Sequence, residues 1–304
     1  MNFSTIATTW AQLKKTAQIL IVTEAERLHL AKRLKADNLP YAARVRIIDI
    51  TKDNACDQAM GRLSEEDLMI VLLTADSFVR KGFGRLFPPF SKPAGFAGKY
   101  IFMRLDIPEA SLLSGLNTSL EKVEAVIRTY QALNAGEKVR VTTDKGTDIT
   151  MQIDFQELLP YQACALGGNA FLPPAEISEE LVAGSANGVI IVDTTVGELR
   201  FGAELIDPLG IVDEQVKLTV QKGLVTDISG GETARRLKAG LDKLDPGLKM
   251  LVELGHGLSD MAPTGLIGVD ESMNGTCHFG IGNRNPYHVD VVVSDPHIMV
   301  ISQS

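Results

Sequence analysis

The chain has 304 residues, 45% of them hydrophobic, with 38 acidic against 30 basic side chains and a formal net charge of −8. That length fills one large domain or two ordinary ones without covalent staples, and a pI near 5.2 excludes a broad basic surface for nucleic acid. Cys56, Cys164 and Cys277 are odd in number and too far apart for a metal knuckle, which fits a reducing, cytoplasmic setting, and no apolar run reaches the roughly 18 residues of a membrane span.

The first part alternates strand and helix signals. Lys14 and Lys15 precede a short apolar run that stops at Thr23-Glu24, the pattern of a strand rather than a signal peptide. Runs 17–23, 45–51 and 68–74 are short, apolar and rich in β-branched residues, and EAERLHLAKRLKA, between the first two, has helical spacing. Such strands are parallel and covered on both faces by helices. Residues 99–106 read as a fourth strand, and a helix follows from Ser119, a suitable N-cap. These signals predict a doubly wound α/β scaffold domain over residues 1–136. Neither GxGxxG nor GxxxxGK[ST] follows any of the strands, so nothing in it points to a nucleotide.

Composition changes at NAGEK, residues 134–138. Beyond it, VRVTTDKGTDITMQI and VKLTVQKGLVTDISGG each place two β-rich arms around a Lys-Gly turn. SANGVIIVDTTVG adds a strand and GETARRLKAGLDKL a short amphipathic helix. Residues 137–304 therefore form a second, hairpin-rich α+β domain.

Its C-terminal stretch concentrates the chemistry. His256, His278 and His288 fall between Glu253 and Asp290, and from Leu251 to Ser304 six acidic residues face one basic one, Arg284. Carboxylates with neutral imidazoles suit a divalent cation. In YHVDVVV the alternation of a strand puts His288 and Asp290 on one face, about 7 Å apart. In TCHFGIG, His278 and Cys277 face opposite ways, the histidine as ligand and the cysteine as core. Glu253 closes the apolar run LKMLVEL and is expected at a strand end, where it could bridge two ions. Glu176 follows two prolines that stiffen a loop. His256, between two glycines, is a second choice for substrate contact or ligation. Arg284 is placed to bind a substrate carboxylate, to stabilise an oxyanion or to pair with Asp270 or Glu271. His29 and His297 read as structural or surface residues.

The ordered set TDKGTDITMQI, NAFLPPAEI, NGVIIVD, VQKGLVTDISGG, ELG at Glu253, GTCHFGIG and HVD at His288 resembles the thermophilic metalloaminopeptidase family, the aminopeptidase T or leucyl aminopeptidase-like group, to which 2,5-dihydroxypyridine 5,6-dioxygenases are related. The resemblance implies two divalent ions (zinc, cobalt or manganese) on Glu176, Glu253, His278, His288 and Asp290, a homodimer, and removal of N-terminal amino acids from small peptides or hydrolysis of a related amide. The alternative is one iron(II) held by His288, Asp290 and either His278 or His256, in a ring-cleaving dioxygenase. In those dioxygenases a histidine stands at the Glu253 position, so the glutamate here favours the hydrolytic branch. The segment between the last two histidines is shorter than the family pattern, and Tyr287, with Arg284 and Glu253 the expected catalytic group, lies further from His278 than the family tyrosine does.

Overall fold

The computed structural model describes residues 3–52, 56–74, 77, 83–88, 92–104, 107–131, 138–154, 169–201, 204–206, 208–283 and 287–301. They divide into two compact units, Met1–Glu121 with Tyr161–Pro174, and Lys122–Pro160 with Ala175–Ser304.

The first unit is built on a parallel sheet. Strands β1 (Gln18–Thr23), β2 (Arg44–Asp49), β3 (Leu68–Leu72) and β4 (Lys99–Met103) fall on the four predicted runs. The chain then leaves for β5 (Lys138–Thr142) and β6 (Asp148–Gln152) in the second unit and returns as β7 (Asn169–Leu172). The sheet order is β2-β1-β3-β4-β7, parallel throughout. The doubly wound expectation is met by five strands rather than four, and the sequence placed the fifth in the other domain. β3 is buried at every residue, as a strand covered on both faces must be. Among the helices of this unit, α1 (Leu28–Asn38), α2 (Cys56–Met60) and α3 (Glu109–Leu116), α1 buries Leu30, Ala31 and Leu34 beside β1 and β2. Trp10, fully buried, donates its indole N–H to the carbonyl of Leu116 at 3.0 Å. α4 (Leu120–Gln131) begins one residue after Ser119, as the N-cap predicts.

The second unit holds two antiparallel sheets. In chain order the remaining strands are β8 (Glu176–Glu180), β9 (Asn187–Val192), β10 (Thr195–Val196), β11 (Leu199–Phe201), β12 (Glu204–Ile206), β13 (Gly210–Ile211), β14 (Val216–Gln221) and β15 (Leu224–Ser229). Helix α5 (Glu232–Leu241), β16 (Leu251–Gly257), the single turn α6 (Ile267–Asp270), β17 (Thr276–Asn283), β18 (Tyr287–Ser294) and β19 (His297–Val300) complete the unit. One sheet runs β15-β14-β9-β6-β5-β19 and contains both predicted hairpins. In the second hairpin Lys222 and Gly223 both have positive φ, the backbone a tight two-residue turn demands. The other sheet runs β12-β11-β18-β17-β16-β8, with β10 also pairing β18. Among the described residues no helix is long and apolar enough to cross a membrane.

Candidate metal centre

Alternation along four neighbouring strands sorts side chains onto two unlike faces. One face of β8, β16, β17 and β18 carries Ile177, Leu254, Phe279, Cys277, Val289 and Val291, all buried. It belongs to the core, and burial pushes the Cys277 thiol well above its usual range. The opposite face carries Glu176, Glu253, His278, His288 and Asp290. The pairing fixes their rows: Gly255 stands between Ser178 and His278, Gly280 between Glu253 and Asp290, and Gly282 opposite His288.

The glycines make room for the imidazoles. A Cβ on Gly255 would lie 2.0 Å from Cε1 and Nε2 of His278, and one on Gly280 would lie 2.7 Å from Cε1 of His288 and 2.9 Å from Cβ of Glu253. Both distances are inside van der Waals contact, so the rings rest directly on glycine backbone.

Nε2 of His278 is 2.9 Å from Oε2 of Glu176. Nε2 of His288 is 2.9 Å from Oδ1 of Asp290 and 3.7 Å from Oε2 of Glu253. The donor atoms form two groups, Glu176–Glu253–His278 and Glu253–His288–Asp290, each with every pair of atoms within 4.8 Å. Glu253 is common to both. His278 is 1% and Glu253 9% exposed, while Glu176, His288 and Asp290 are half-buried.

Burial opposes charge on His278, but the carboxylates of Glu176, Asp290 and Glu271 outweigh it and raise the imidazole to about 10. Burial likewise opposes charge on His288, and Asp290 and Glu253 raise it above its usual value. Without a metal ion, the neighbouring carboxylates favour the protonated form of both rings. Nδ1 of each ring has no hydrogen-bond partner among the described residues. Three carboxylates and two imidazoles packed this closely, with hard oxygen and borderline nitrogen donors, fit a divalent cation, which would replace the protons as the neutralising charge.

The structure thus gathers all five residues singled out as ligands, but two of them sit differently from the expectation. Glu253 lies inside β16 rather than at a strand end, because the glycines beside His256 continue the strand instead of turning it. Glu176 opens β8 rather than riding a loop. His256 falls on the core face, opposite Cys277 and Ile177 and turned away from the five donors, which removes it from the expected iron triad; burial and the nearby His278 lower its pKa to about 4. His278 groups with Glu176 and Glu253 rather than with His288 and Asp290, so neither group is the expected two-histidine, one-carboxylate set. Tyr287 precedes His288 on β18, and alternation turns it to the other face, which speaks against a catalytic role. Arg284 lies outside the described residues. His29 and His297 are exposed.

Sequence reasoning named Asp270 and Glu271 only as partners for Arg284 and passed over Glu180, so it missed the place of three acidic residues around the centre. Asp270, fully buried, accepts from the Thr264 and Gly265 backbone N–H groups and from the hydroxyls of Thr195 and Thr264. It ties the loop after β16 to β10, and β10 pairs with the β18 strand that carries His288 and Asp290. Glu271 acts on His278 through its charge. Glu180 stands directly opposite Glu253. The available signal was the period of two in EISEE, which puts Glu176, Ser178 and Glu180 on one face once that stretch is read as a strand.

Over residues 8–276 the chain matches the family model described as NicX, 2,5-dihydroxypyridine 5,6-dioxygenase. That span includes Glu176 and Glu253 and stops short of His278, His288 and Asp290. Among solved structures the chain is similar to 2,5-dihydroxypyridine dioxygenase from Pseudomonas putida, with 13% identity, a TM-score of 0.59, and coverage of 98% of this chain and 92% of that one. It is also similar to wild-type AmpT from Thermus thermophilus, with 14% identity, a TM-score of 0.52, and coverage of 97% and 93%. At these identities the likeness is one of fold. Comparison with curated proteins returns no significant match.

Proposed function

Because the chain belongs to the 2,5-dihydroxypyridine 5,6-dioxygenase family, we propose that it is a metal-dependent enzyme that opens a hydroxylated nitrogen heterocycle with dioxygen. This reverses the order in which the sequence ranked its two branches. The observation that carries the reading is the meeting of family membership with one complete ligand group, Glu253, His288 and Asp290, on one sheet face. Iron(II) bound there would supply the redox capacity for ring opening.

The chain's own part begins with orientation. Asp290 holds the His288 ring at Nε2 in the metal-free protein, and Gly280 beneath it fixes how deep the ring sits. With one ion on Glu253, His288 and Asp290, the Glu176–His278 pair keeps its proton at Nε2, 2.9 Å from the carboxylate. That pair is the natural acid–base partner for a substrate hydroxyl, since proton transfer needs a donor within hydrogen-bond reach before it needs a tuned pKa.

A second reading, a two-metal hydrolase of the aminopeptidase type, is favoured by one observation: Glu253 belongs to both donor groups. Charge separates the two readings. With one divalent ion and His278 protonated, the three carboxylates are balanced; with two ions and both imidazoles neutral, one positive charge is in excess. A positive centre suits an attacking hydroxide and a polarised carbonyl better than a neutral one does.

The test is anaerobic purification and reconstitution, elemental analysis, and two assays on the same preparation. About one equivalent of iron with oxygen uptake on 2,5-dihydroxypyridine supports the dioxygenase. About two equivalents of zinc, cobalt or manganese, with amino acid released from aminoacyl anilides and no oxygen uptake, replaces it with the hydrolase.

A further inference from the structure

Two cross-strand rows start at β10 and run into the metal centre. In the first, Thr195 stands opposite Val292, Val292 opposite His278, and His278 opposite Gly255. In the second, the Gly197 N–H donates to the carbonyl of Asp290 at 2.8 Å, Asp290 stands opposite Gly280, and Gly280 opposite Glu253. The single turn α6 is fastened at the head of both rows. Its first residue, Ile267, lies so close to Gly197 that a Cβ there would be 2.9 Å from Cγ1. Its last, Asp270, accepts from the hydroxyl of Thr195. The same carboxylate accepts from the Thr264 and Gly265 N–H groups at 2.7 and 2.8 Å and from the Thr264 hydroxyl at 3.1 Å. All four donors are neutral, and Asp270 and Thr195 are fully buried. A carboxylate is costly to bury, and here its four bonds fix one turn against one strand. The next residue, Glu271, acts through its charge on His278.

We infer that Asp270 is a positioning residue of the metal centre, fastening α6 to β10 so that the row of His278 and the row of Glu253 and Asp290 keep a fixed offset. The inference rests on the metal-centre reading above and holds for one iron(II) or for two hydrolytic ions. Glu253 and His278 share a donor group but sit in different rows, so any slip of one row against the other changes the spacing between donors. A metal site tolerates only about 0.2 Å of such change in its ligand distances. A carboxamide in place of the carboxylate loosens the fastening. The hydroxyls of Thr195 and Thr264 can reverse to accept from its NH2 group, but the Thr264 and Gly265 N–H groups cannot, so one of them is left facing a donor.

The test uses cobalt(II) as the probe, titrated into the full chain after metal removal. Competition with a chelator reads its affinity, the visible absorption bands read its coordination geometry, and thermal melting reads stability. Asp67→Asn is the matched control, because Asp67 is another buried carboxylate, in the first unit, that accepts from neutral donors, the Gln18 and Ser64 N–H groups and the Ser64 hydroxyl. Asp270→Asn should weaken cobalt binding about tenfold, the lower end of what outer-shell substitutions cost, and shift the bands. Asp67→Asn should lower the melting temperature and leave both cobalt readouts at their wild-type values. Thr195→Val, of the same shape without the hydroxyl, should move cobalt in the same direction, and Thr195→Ser should restore it; this pair carries the test should Asp270→Asn fail to fold. Lower melting with wild-type cobalt affinity and bands, in Asp270→Asn or in Thr195→Val, would make Asp270 a structural anchor alone and overturn the inference while leaving the metal centre in place. Failure of wild type to bind cobalt would overturn the metal centre and the role of Asp270 with it.

Discussion

The carboxylate of Glu253 lies 3.7 Å from Nε2 of His288 and is also a member of the donor group of Glu176 and His278. One side chain therefore links the two halves of the centre. Glu253→Ala should lower activity by at least about a hundredfold, the upper end of what outer-shell substitutions at metal sites cost, and reduce metal content to background. His278→Ala should behave differently: if a single ion sits on Glu253, His288 and Asp290, metal content stays at the wild-type level while turnover falls. Elemental analysis of both variants beside wild type decides it, and retention of full metal by Glu253→Ala would exclude the shared role.

The glycines beneath the rings make a second, independent test. Gly255→Ala drives a methyl group into His278, which is 1% exposed and has no space to retreat. Overpacking of this kind costs about 1–3 kcal/mol, and the ring that must move is a metal donor. The variant should melt lower than wild type, keep its far-ultraviolet spectrum and lose turnover. Gly146→Ala is a suitable control, since that glycine has a positive φ but meets only ordinary contact with Ile191 and is remote from the centre in the sheet order. A Gly255→Ala protein with wild-type turnover would mean that His278 is not held where the structure puts it.

These same residues mark what the sequence could and could not say. The paired ligands of β18 were legible because a strand's period of two links His288 to Asp290 without help from the rest of the fold. The parallel strands β1 to β4 were legible because burial on both faces leaves unbroken apolar runs. Glu176 and Glu253 were identified as ligands but misplaced, for related reasons. Prolines before Glu176 and glycines after Glu253 are loop signals, yet here the prolines end β7 just before β8 begins, and the glycines clear space for imidazoles inside a continuous strand. That clearance is a relation between neighbouring strands, which no local window contains. The return of β7 to the parallel sheet was hidden for the same reason, because its partner β4 precedes it by more than sixty residues.

The charge state of His278 predicts how the metal-free protein responds to pH. Its folded-state value, about 10, lies above the ordinary 6.5, so the stabilisation from its ion pair with Glu176 is complete below about pH 6.5 and is lost as pH rises through 10. A single ion on Glu253, His288 and Asp290 leaves the proton of His278 in place, so the same loss is expected with metal bound. Melting temperatures with chelator should fall from pH 7 to pH 10, and the fall should persist when metal is added. His278→Ala should flatten it in both states. A fall abolished by metal would instead show that the ion displaces the proton of His278.

Glu179 makes a distinct prediction at lower pH. It faces the core side of β8, is 1% exposed, and neither carboxylate oxygen has a hydrogen-bond partner among the described residues; burial raises it to about 7 from 4.5. In the unfolded chain the carboxyl ionises near 4.5, while in the folded chain it holds its proton to about 7. Stability is therefore fully present below pH 4.5, declines between 4.5 and 7, and remains reduced above. One pKa unit corresponds to about 1.4 kcal/mol, so the total loss is at most roughly 3–4 kcal/mol. Glu179→Gln, nearly isosteric and unable to ionise, should remove that slope and gain on wild type at pH 8 while losing its advantage at pH 4.5. The interval lies below that of His278, so denaturant midpoints at pH 4.5, 6, 8 and 10 resolve the two groups. A wild-type protein equally stable at pH 4.5 and 7, with Glu179→Gln following the same curve, would show that the carboxyl is hydrated or paired after all.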